Sequence, residues 1–236
     1  MKVAIINFSG NVGKTTIAKQ LLAPRMNAPE FAVETINAGA SDYSTGVERI
    51  KGKEFGDLQE ELMQLESAIV DIGASNVEEF IKLMNQFEGS HEEFDYYVVP
   101  AVSEKKQQAD TVNTIKTLAG LGVPAKKIRV VFNKVDVDDS DDPSRQFGIL
   151  CGFHEAEKRF RLLPDAVLFH NEIFERFRVL KKTVIEIVSD KTDYRAMLRE
   201  ADNEADKARA VSMISAQRLA KSAHKNLDDV YNALFK

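Results

Sequence analysis

Short apolar runs alternate with segments of helical periodicity along most of this 236-residue chain. Most runs are continuous, which is typical of parallel strands covered on both faces. The predicted strands are Val3–Phe8, Phe31–Asn37, Ala68–Asp71, Tyr96–Val102, Ile128–Phe132 and Ala166–Phe169. The predicted helices are Thr15–Leu22, Asp57–Glu66, Val77–Gln86, Lys105–Leu121 and Glu172–Val188. This alternation predicts right-handed βαβ units and a doubly wound, mainly parallel α/β sheet over residues 1–190.

Residues 191–236 have a different pattern, with no Gly, no Pro and no strand-like run. Their apolar residues recur at approximately helical spacing, which predicts one long or two shorter helices as a C-terminal extension. Two interpretations of this extension stay open. It packs on the sheet, or it docks a partner or a membrane surface, although its mixed charge disfavours peripheral membrane contact.

Composition indicates a folded protein, since 44% of the residues are hydrophobic and 29% are charged. The single cysteine, Cys151, excludes an internal disulfide and suits a reducing compartment. The apolar run at the N-terminus is too short for a signal peptide, and no stretch approaches the roughly 20 apolar residues of a membrane span. These features predict a cytoplasmic protein.

The formal net charge is −5, and an acidic balance disfavours general nucleic-acid binding. Direct DNA contact nevertheless stays open, because several basic residues could form a DNA-facing patch. These are Lys105, Lys106, Lys126, Lys127, Arg159, Arg161, Arg176, Arg178, Lys181 and Lys182. Acidic residues interspersed among them, such as Glu172 and Glu175, favour an ordinary solvated surface instead.

The strongest chemical motif is SGNVGKTT, which lies between the first predicted strand and the first predicted helix. A loop at this place directs backbone N–H groups and a helix N-terminus at one point, which is an anion site. Lys14 can reach the β- and γ-phosphates of a nucleotide, and the Thr15 hydroxyl suits Mg²⁺. The candidate nucleotide-binding residues here are Ser9, Gly10, Asn11, Val12, Gly13, Lys14, Thr15 and Thr16. The full G-x-x-x-x-G-K-[ST] pattern is not met, because Phe8 occupies the position of its first glycine.

Two further motifs stand at predicted strand ends. In AIVDIGAS, Asp71 is a candidate magnesium-linked carboxylate, followed by a loop that could sense the γ-phosphate. In VVFNKVD, Asn133 and Asp136 could hydrogen-bond a purine edge while Lys134 covers its face. This last spacing alone favours guanine, because a carboxylate can accept two N–H bonds from that ring.

In this order the motifs resemble the ParA/MinD family of deviant-Walker P-loop ATPases. The segments YYVVPAVSEKKQQADTVNTIKTL and AVLFHNEIFERFRVLKKTVIEI are similar to the later strands and helices of that family. The N-terminal sequence MKVAIINFSGNVGKTTIAKQLLAPRM resembles in particular the StbB-type plasmid stability proteins. The resemblance implies an ATP- and Mg²⁺-dependent switch in plasmid maintenance, partition or conjugation. It also implies a nucleotide-dependent homodimer and a DNA-binding adaptor or a transfer complex as partners.

The chain departs from this family at two places. Ser9 stands where the family has a lysine that reaches the partner's nucleotide, and Lys2, Lys19 or a loop residue are the candidates to replace that charge. Asn37 and Gly39 stand where the family has two carboxylates, which leaves Asp42 as the nearby catalytic candidate beside Lys14. Losing the group that orients the attacking water predicts slow hydrolysis, below about 1 per second.

Three functions therefore remain in competition. The resemblance favours an ATPase switch in which Asn133 contacts adenine. The spacing of Asn133 and Asp136 favours a GTPase of the metallochaperone or targeting type, although the chain has no Cys or His cluster for a metal cargo. The missing carboxylates and the missing lysine favour a nucleotide-binding scaffold with negligible turnover.

Overall fold

A computed structural model of the chain describes residues 1–33, 48–50, 55–139 and 143–236. Within them, seven parallel strands form one sheet in the order β3-β2-β4-β1-β5-β6-β7. The strands are β1 Lys2–Ile5, β2 Glu30–Val33, β3 Glu48–Ile50, β4 Ala68–Ile72, β5 Tyr96–Ala101, β6 Ile128–Val135 and β7 Val167–Phe169. The central position of β1 puts the loop that follows it at the middle of the carboxyl edge of the sheet. The predicted parallel α/β fold is confirmed.

The helices cover both faces of this sheet. They are α1 Lys14–Thr16, α2 Ala23–Met26, α3 Phe55–Gln64, α4 Val77–Gln86, α5 Lys105–Gly120, α6 Pro143–Gln146, α7 Gly148–Glu157, α8 Ile173–Leu180, α9 Val184–Ser189, α10 Tyr194–Glu200 and α11 Glu204–Phe235. A π-helical segment, Ile17–Leu22, joins α1 to α2, so the helix after the first strand runs continuously to Met26. This helix is longer than the predicted Thr15–Leu22.

Alternation along the strands builds two separate apolar layers. Ala4 and Ile6 contribute to the layer under α3, α4, α5 and α7. Val3 and Ile5 contribute to the layer under the π-helical segment, α9 and α11. Because every second side chain enters a different layer, both sets must be apolar, and this explains why the strands read as continuous apolar runs.

The prediction of one helix over Glu172–Val188 is wrong. The chain breaks between α8 and α9, where Lys181 adopts the left-handed conformation with φ 50°. Thr183 then begins α9 with a capping box, in which its hydroxyl accepts from the Glu186 N–H and Glu186 accepts from the Thr183 N–H. Reciprocal caps of this kind satisfy backbone donors that the first helical turn leaves open, and so favour a new helix at this point.

The C-terminal segment forms α10 and the 32-residue α11. The latter buries Ala216, Ala220, Ala223 and Leu227 in the layer that contains Val3 and Ile5. Since α11 shares this layer with elements that precede it, the domain boundary at residue 190 stays a prediction. In the described ranges no helix has both the length and the apolar character that crossing a bilayer requires.

Candidate nucleotide-binding site

The phosphate loop, residues 9–16, leaves the carboxyl end of β1 and opens α1, as the sequence predicts. Gly13 has φ 90°, in the left-handed region, and precedes the first helical residue. A Cβ at this position would lie 2.2 Å from Nδ2 of Asn133. Two features therefore require glycine at position 13, namely its left-handed backbone conformation and the close approach of β6.

Lys14 lies folded inside the loop and is only 8% exposed. Its ammonium group donates to the carbonyl oxygens of Asn7, at 3.0 Å, and of Ser9, at 2.7 Å. Burial lowers the pKa of Lys14 to about 8, and the charge of Asp71 opposes this shift. The amine is thus held close to its loop, with oxygen acceptors that phosphate oxygens can replace.

Thr15 and Asp71 are brought together from different parts of the chain. Oγ1 of Thr15 donates to Oδ2 of Asp71 at 2.7 Å, which joins the first turn of α1 to the end of β4. A hydroxyl and a carboxylate are oxygen donors of the type that Mg²⁺ prefers, together with phosphate oxygens. The two side chains therefore fit a magnesium ion bound with a nucleotide phosphate.

The remaining loop residues differ in their exposure to solvent. The Val12 side chain is fully buried, Thr16 is half-buried, and Gly10 and Asn11 are exposed. Asn11 has φ 56°, an unusual left-handed conformation for a residue with a side chain. Gly10 and Asn11 therefore form the exposed rim of the loop, where a ligand can approach.

Ser9 has all three of its polar groups engaged within the chain. Its N–H donates to Oδ1 of Asn7 at 2.8 Å, and its carbonyl accepts from Lys14. Its hydroxyl donates to Oδ2 of Asp110, on α5, at 2.5 Å. These contacts make Ser9 a support of the loop, and its predicted contact with nucleotide stays a prediction.

The end of β6 reaches over the phosphate loop. Asn133 is 5% exposed, and its Nδ2 donates to the carbonyl of Val12 at 2.8 Å, so its amide binds the loop itself. The pairing of β6 with β7 shifts register between Asn133 and Val135, and Lys134, which lies between them, has φ 59°. The Lys134 ammonium group donates to the Asn11 carbonyl at 2.9 Å. Asp136 follows at the surface and is exposed. The base contacts predicted for these three residues stay predictions.

The candidates for the replacement cation are in different situations. Lys2 lies at the opposite end of β1 and pairs with Glu93 at 3.2 Å, so it is remote from the loop. Lys19 lies near Glu30, whose pKa is raised mainly by burial, while the Lys19 charge opposes that shift. Asn37, Gly39 and Asp42 lie outside the described residues.

The basic pairs do not form one patch. Lys105 and Lys106 begin α5 after the carboxyl end of β5, whereas Lys126 and Lys127 precede β6 at the amino end of the sheet. Lys182 pairs with an aspartate, Asp190, at 2.8 Å. The structure thus separates these cations over opposite edges of the sheet.

The residues that support the loop from below belong to no recognisable motif of the sequence. Asn7 is fully buried, and Asp110, Thr111 and Thr114 of α5 contact residues 7 to 9. One signal was visible, since Asn7 is a polar residue inside the apolar run of the first strand. The α5 residues gave no such signal, because their partners are about a hundred positions away in the chain.

Comparisons with known proteins bear on the fold. No protein-family model matches the sequence, and no curated protein matches it significantly. A McdA variant from Cyanothece, solved with ATP, aligns with 99% of this chain and 95% of its own, at 14% identity and a TM-score of 0.52. Apo McdA from Cyanothece aligns with 94% of this chain and 98% of its own, at 13% identity and a TM-score of 0.49.

The pnob8 ParA structure covers 98% of both chains at 13% identity and a TM-score of 0.46. The McdA–ATP complex aligns with this chain over nearly the whole length of both proteins. The chain therefore has the fold of the ParA-type P-loop ATPases.

Proposed function

We propose that this chain is an ATP-binding molecular switch with slow ATPase activity. The observation that carries the proposal is the 2.7 Å hydrogen bond between Thr15 and Asp71. It supports a magnesium site, because a hydroxyl at the start of α1 and a carboxylate at the end of β4 lie side by side, next to the loop that holds Lys14. Neither a structural turn nor a simple helix cap requires that combination.

Each residue has a role in this proposal. Bound Mg²⁺ would supply charge neutralisation between the phosphates, with Thr15 and Asp71 holding it. Lys14 would exchange its two carbonyl acceptors for phosphate oxygens, and the exposed backbone at Gly10 and Asn11 would contact the phosphate chain. Asn133 and Lys134 close the loop on the side of β6, where the base would lie.

Slow turnover is part of the proposal, because Asn37 and Gly39 replace the expected carboxylates. We expect a basal rate below about 1 per second. A weak hydrolase with a tight nucleotide site is suited to switching, since the bound state persists until a partner accelerates the reaction or exchanges the nucleotide.

The biological role that we propose is plasmid maintenance or positioning, with conjugation as a related process. It rests on the resemblance of the N-terminal segment to StbB-type proteins. The proposed partners are a second copy of the chain in the ATP state and a DNA-binding adaptor or a partition or transfer complex.

A guanine-specific site is the second candidate. It is favoured by Asp136, which is exposed beyond the end of β6, three residues after Asn133. An exposed carboxylate at this spacing could accept two hydrogen bonds from guanine.

Calorimetric titration with Mg²⁺ and non-hydrolysable ATP and GTP analogues, at equal ionic strength, tests these alternatives. We expect the ATP analogue to bind, and Lys14→Ala to weaken its affinity by about 100-fold, because hydrogen bonds from a charged donor are lost. Lys82→Ala, at an exposed position of α4, is the matched control and should bind as the unchanged chain does. Preference for the GTP analogue would support the second candidate, and binding of neither would overturn the proposal.

A further inference from the structure

Helix α5 has an unusual buried face. Gln108, Thr111 and Thr114 are polar, yet none is more than 2% exposed. A helix packed on a sheet normally buries an apolar stripe, and buried polar groups need hydrogen-bond partners. The two threonines find theirs in the residues that enter the phosphate loop.

The direction of these hydrogen bonds follows from the chemistry of the hydroxyl group. The Thr111 hydroxyl donates its single proton to the carbonyl of Gln107, one turn earlier, at 2.7 Å. Only its lone pairs remain, and they accept from Nδ2 of Asn7 at 2.9 Å. Helix α5 therefore presents a fixed acceptor to the end of the first strand.

Thr114 repeats the arrangement one turn later. Its hydroxyl donates to the carbonyl of Asp110 at 2.8 Å and accepts from the backbone N–H of Phe8 at 3.1 Å. Valine at this position would keep the shape of the side chain but leave the Phe8 N–H without this acceptor.

Asn7 connects the hydrogen bonds of α5 to the phosphate loop. Its Nδ2 also donates to the carbonyl of Pro100 at 2.8 Å, so both of its amide protons are used. Its Oδ1 must then face the other way, where it accepts from the N–H of Ser9. Asp110 holds the hydroxyl of the same serine. The Ser9 carbonyl is thereby fixed at the place where the Lys14 ammonium binds.

We propose that Asp110, Thr111 and Thr114 are positioning residues of the phosphate loop. They set its affinity for the triphosphate of a nucleotide through residues 7 to 9, without contacting the nucleotide themselves. The inference rests on the proposed function and adds determinants of affinity that lie on another helix. It predicts that uncharged, shape-conserving changes on α5 weaken nucleotide binding.

The test uses Thr111→Val, Thr114→Val and the double variant, titrated with Mg²⁺ and a non-hydrolysable ATP analogue. We expect each single variant to lose about 3- to 10-fold in affinity and the double variant about 10- to 50-fold. Thr117→Val is the matched control on the same helix, since the Thr117 hydroxyl donates only to the carbonyl of Asn113, at 2.8 Å. It should bind within about twofold of the unchanged chain.

Thermal unfolding without nucleotide separates positioning from simple destabilisation. A double variant with lower melting temperature but unchanged affinity would overturn the inference, as would equal losses in the Thr117 control. Thr111→Ser and Thr114→Ser keep the acceptor, and we expect them to restore the affinity. If the unchanged chain binds no nucleotide, the proposed function itself fails. If it binds and the double variant binds equally well, only this inference fails.

Asp110 provides a second test that does not alter a buried position. Asp110→Ala removes the acceptor of the Ser9 hydroxyl and should weaken binding about 3- to 10-fold. Asp110→Asn keeps an acceptor oxygen and removes a negative charge near the phosphates, so its affinity should equal or exceed that of the unchanged chain. Tighter binding by Asp110→Ala would show that charge alone matters and would contradict a positioning role.

Discussion

Helices α5 and α11 lie on opposite faces of the same sheet and use their buried faces differently. On α5 the face includes Gln108, Thr111 and Thr114, each hydrogen-bonded to a distant part of the chain. On α11 the fully buried positions are apolar and mostly small, among them Ala216, Ala220 and Leu227. A polar face fixes the geometry of particular partners, whereas an apolar face contributes free energy through burial with little directional demand. Helix α5, which supports the site, therefore has polar residues at buried positions where α11 has apolar ones.

The largest expected effect is a loss of stability when an apolar side chain is removed from the buried face of α11. Leu227→Ala on α11 removes a fully buried side chain and should lower the free energy of unfolding by about 3 kcal/mol. Nucleotide affinity of the folded protein should hardly change, because the hydrogen bonds that hold the phosphate loop come from α5, β4 and β6 and not from Leu227. Denaturant unfolding and calorimetric titration measure the two quantities.

The control for that substitution is Val211→Ala on the same helix, where Val211 is 52% exposed. It should cost less than about 0.5 kcal/mol. A large loss of nucleotide affinity in Leu227→Ala, measured where the protein is still folded, would break the distinction between the two helices.

The second effect is a pH dependence of nucleotide affinity, which arises from Lys14 in the loop that α5 supports. Lys14 has a pKa of about 8 in the folded protein, so above pH 8 it loses the proton that phosphate binding requires. We expect affinity for the ATP analogue to fall by up to about tenfold per pH unit above 8. Calorimetry between pH 7 and 9.5 measures this, and a flat profile would contradict it.

The stability of the free protein should change in the opposite direction. Because the pKa of Lys14 is lower when folded than when unfolded, the unfolded chain binds more protons between pH 8 and 10.5, and stability gains from this group as the pH rises through that window. Below pH 8 the lysine is charged in both states and the cost of burying it is fully present. Lys14→Met should abolish the gain, which denaturant unfolding at several pH values can detect.

The smallest effect should come from the polar tie at the far end of α11. Arg25, after the π-helical segment, donates to Oδ1 of Asp228 at 2.9 Å, and the Arg25 side chain is 11% exposed whereas that of Asp228 is 48% exposed. Asp228→Ala should cost only about 1 kcal/mol, because Asp228 is half-exposed and Arg25 keeps its hydrogen bonds to the carbonyls of Gln20 and Leu21. Asp229→Ala, at the next and exposed position, is the control and should be neutral. A cost comparable to that of Leu227→Ala would show that α11 also depends on directed polar contacts.

Much of the fold could be predicted from local pattern. The helix at Val77–Gln86 was predicted to the residue, and the strand at Ala68–Asp71 was short by one position, because apolar periodicity reports which side chains must be buried. Helix α7 was missed because glycines at 148 and 152 weaken its helical signal. The break before α9 was missed although Thr183 and Glu186 carry the spacing of a capping box.

The site was predictable in its outline and not in its support. Glycine, lysine and threonine after a first strand identify the phosphate loop, because this chemistry is local. The contacts from Thr111 and Asn133 to that loop depend on which strands become neighbours, and no local pattern encodes this. Asn133 illustrates the difference, since its spacing from Asp136 is visible in the sequence, whereas the hydrogen bond from its amide to the Val12 carbonyl is not.

The long sequence separation of these contacts has a consequence for synthesis of the chain. The phosphate loop spans residues 9 to 16, yet several of the side chains that hydrogen-bond to it, or to Asn7 and Phe8 just before it, lie 101 to 123 positions further along, on α5 and β6. A nascent chain that ends near residue 100 has the phosphate motif but none of these supports. The motif should therefore be unable to hold nucleotide until β6 has left the ribosome and joined the sheet, so ATP can favour folding only after more than half of the chain has been made.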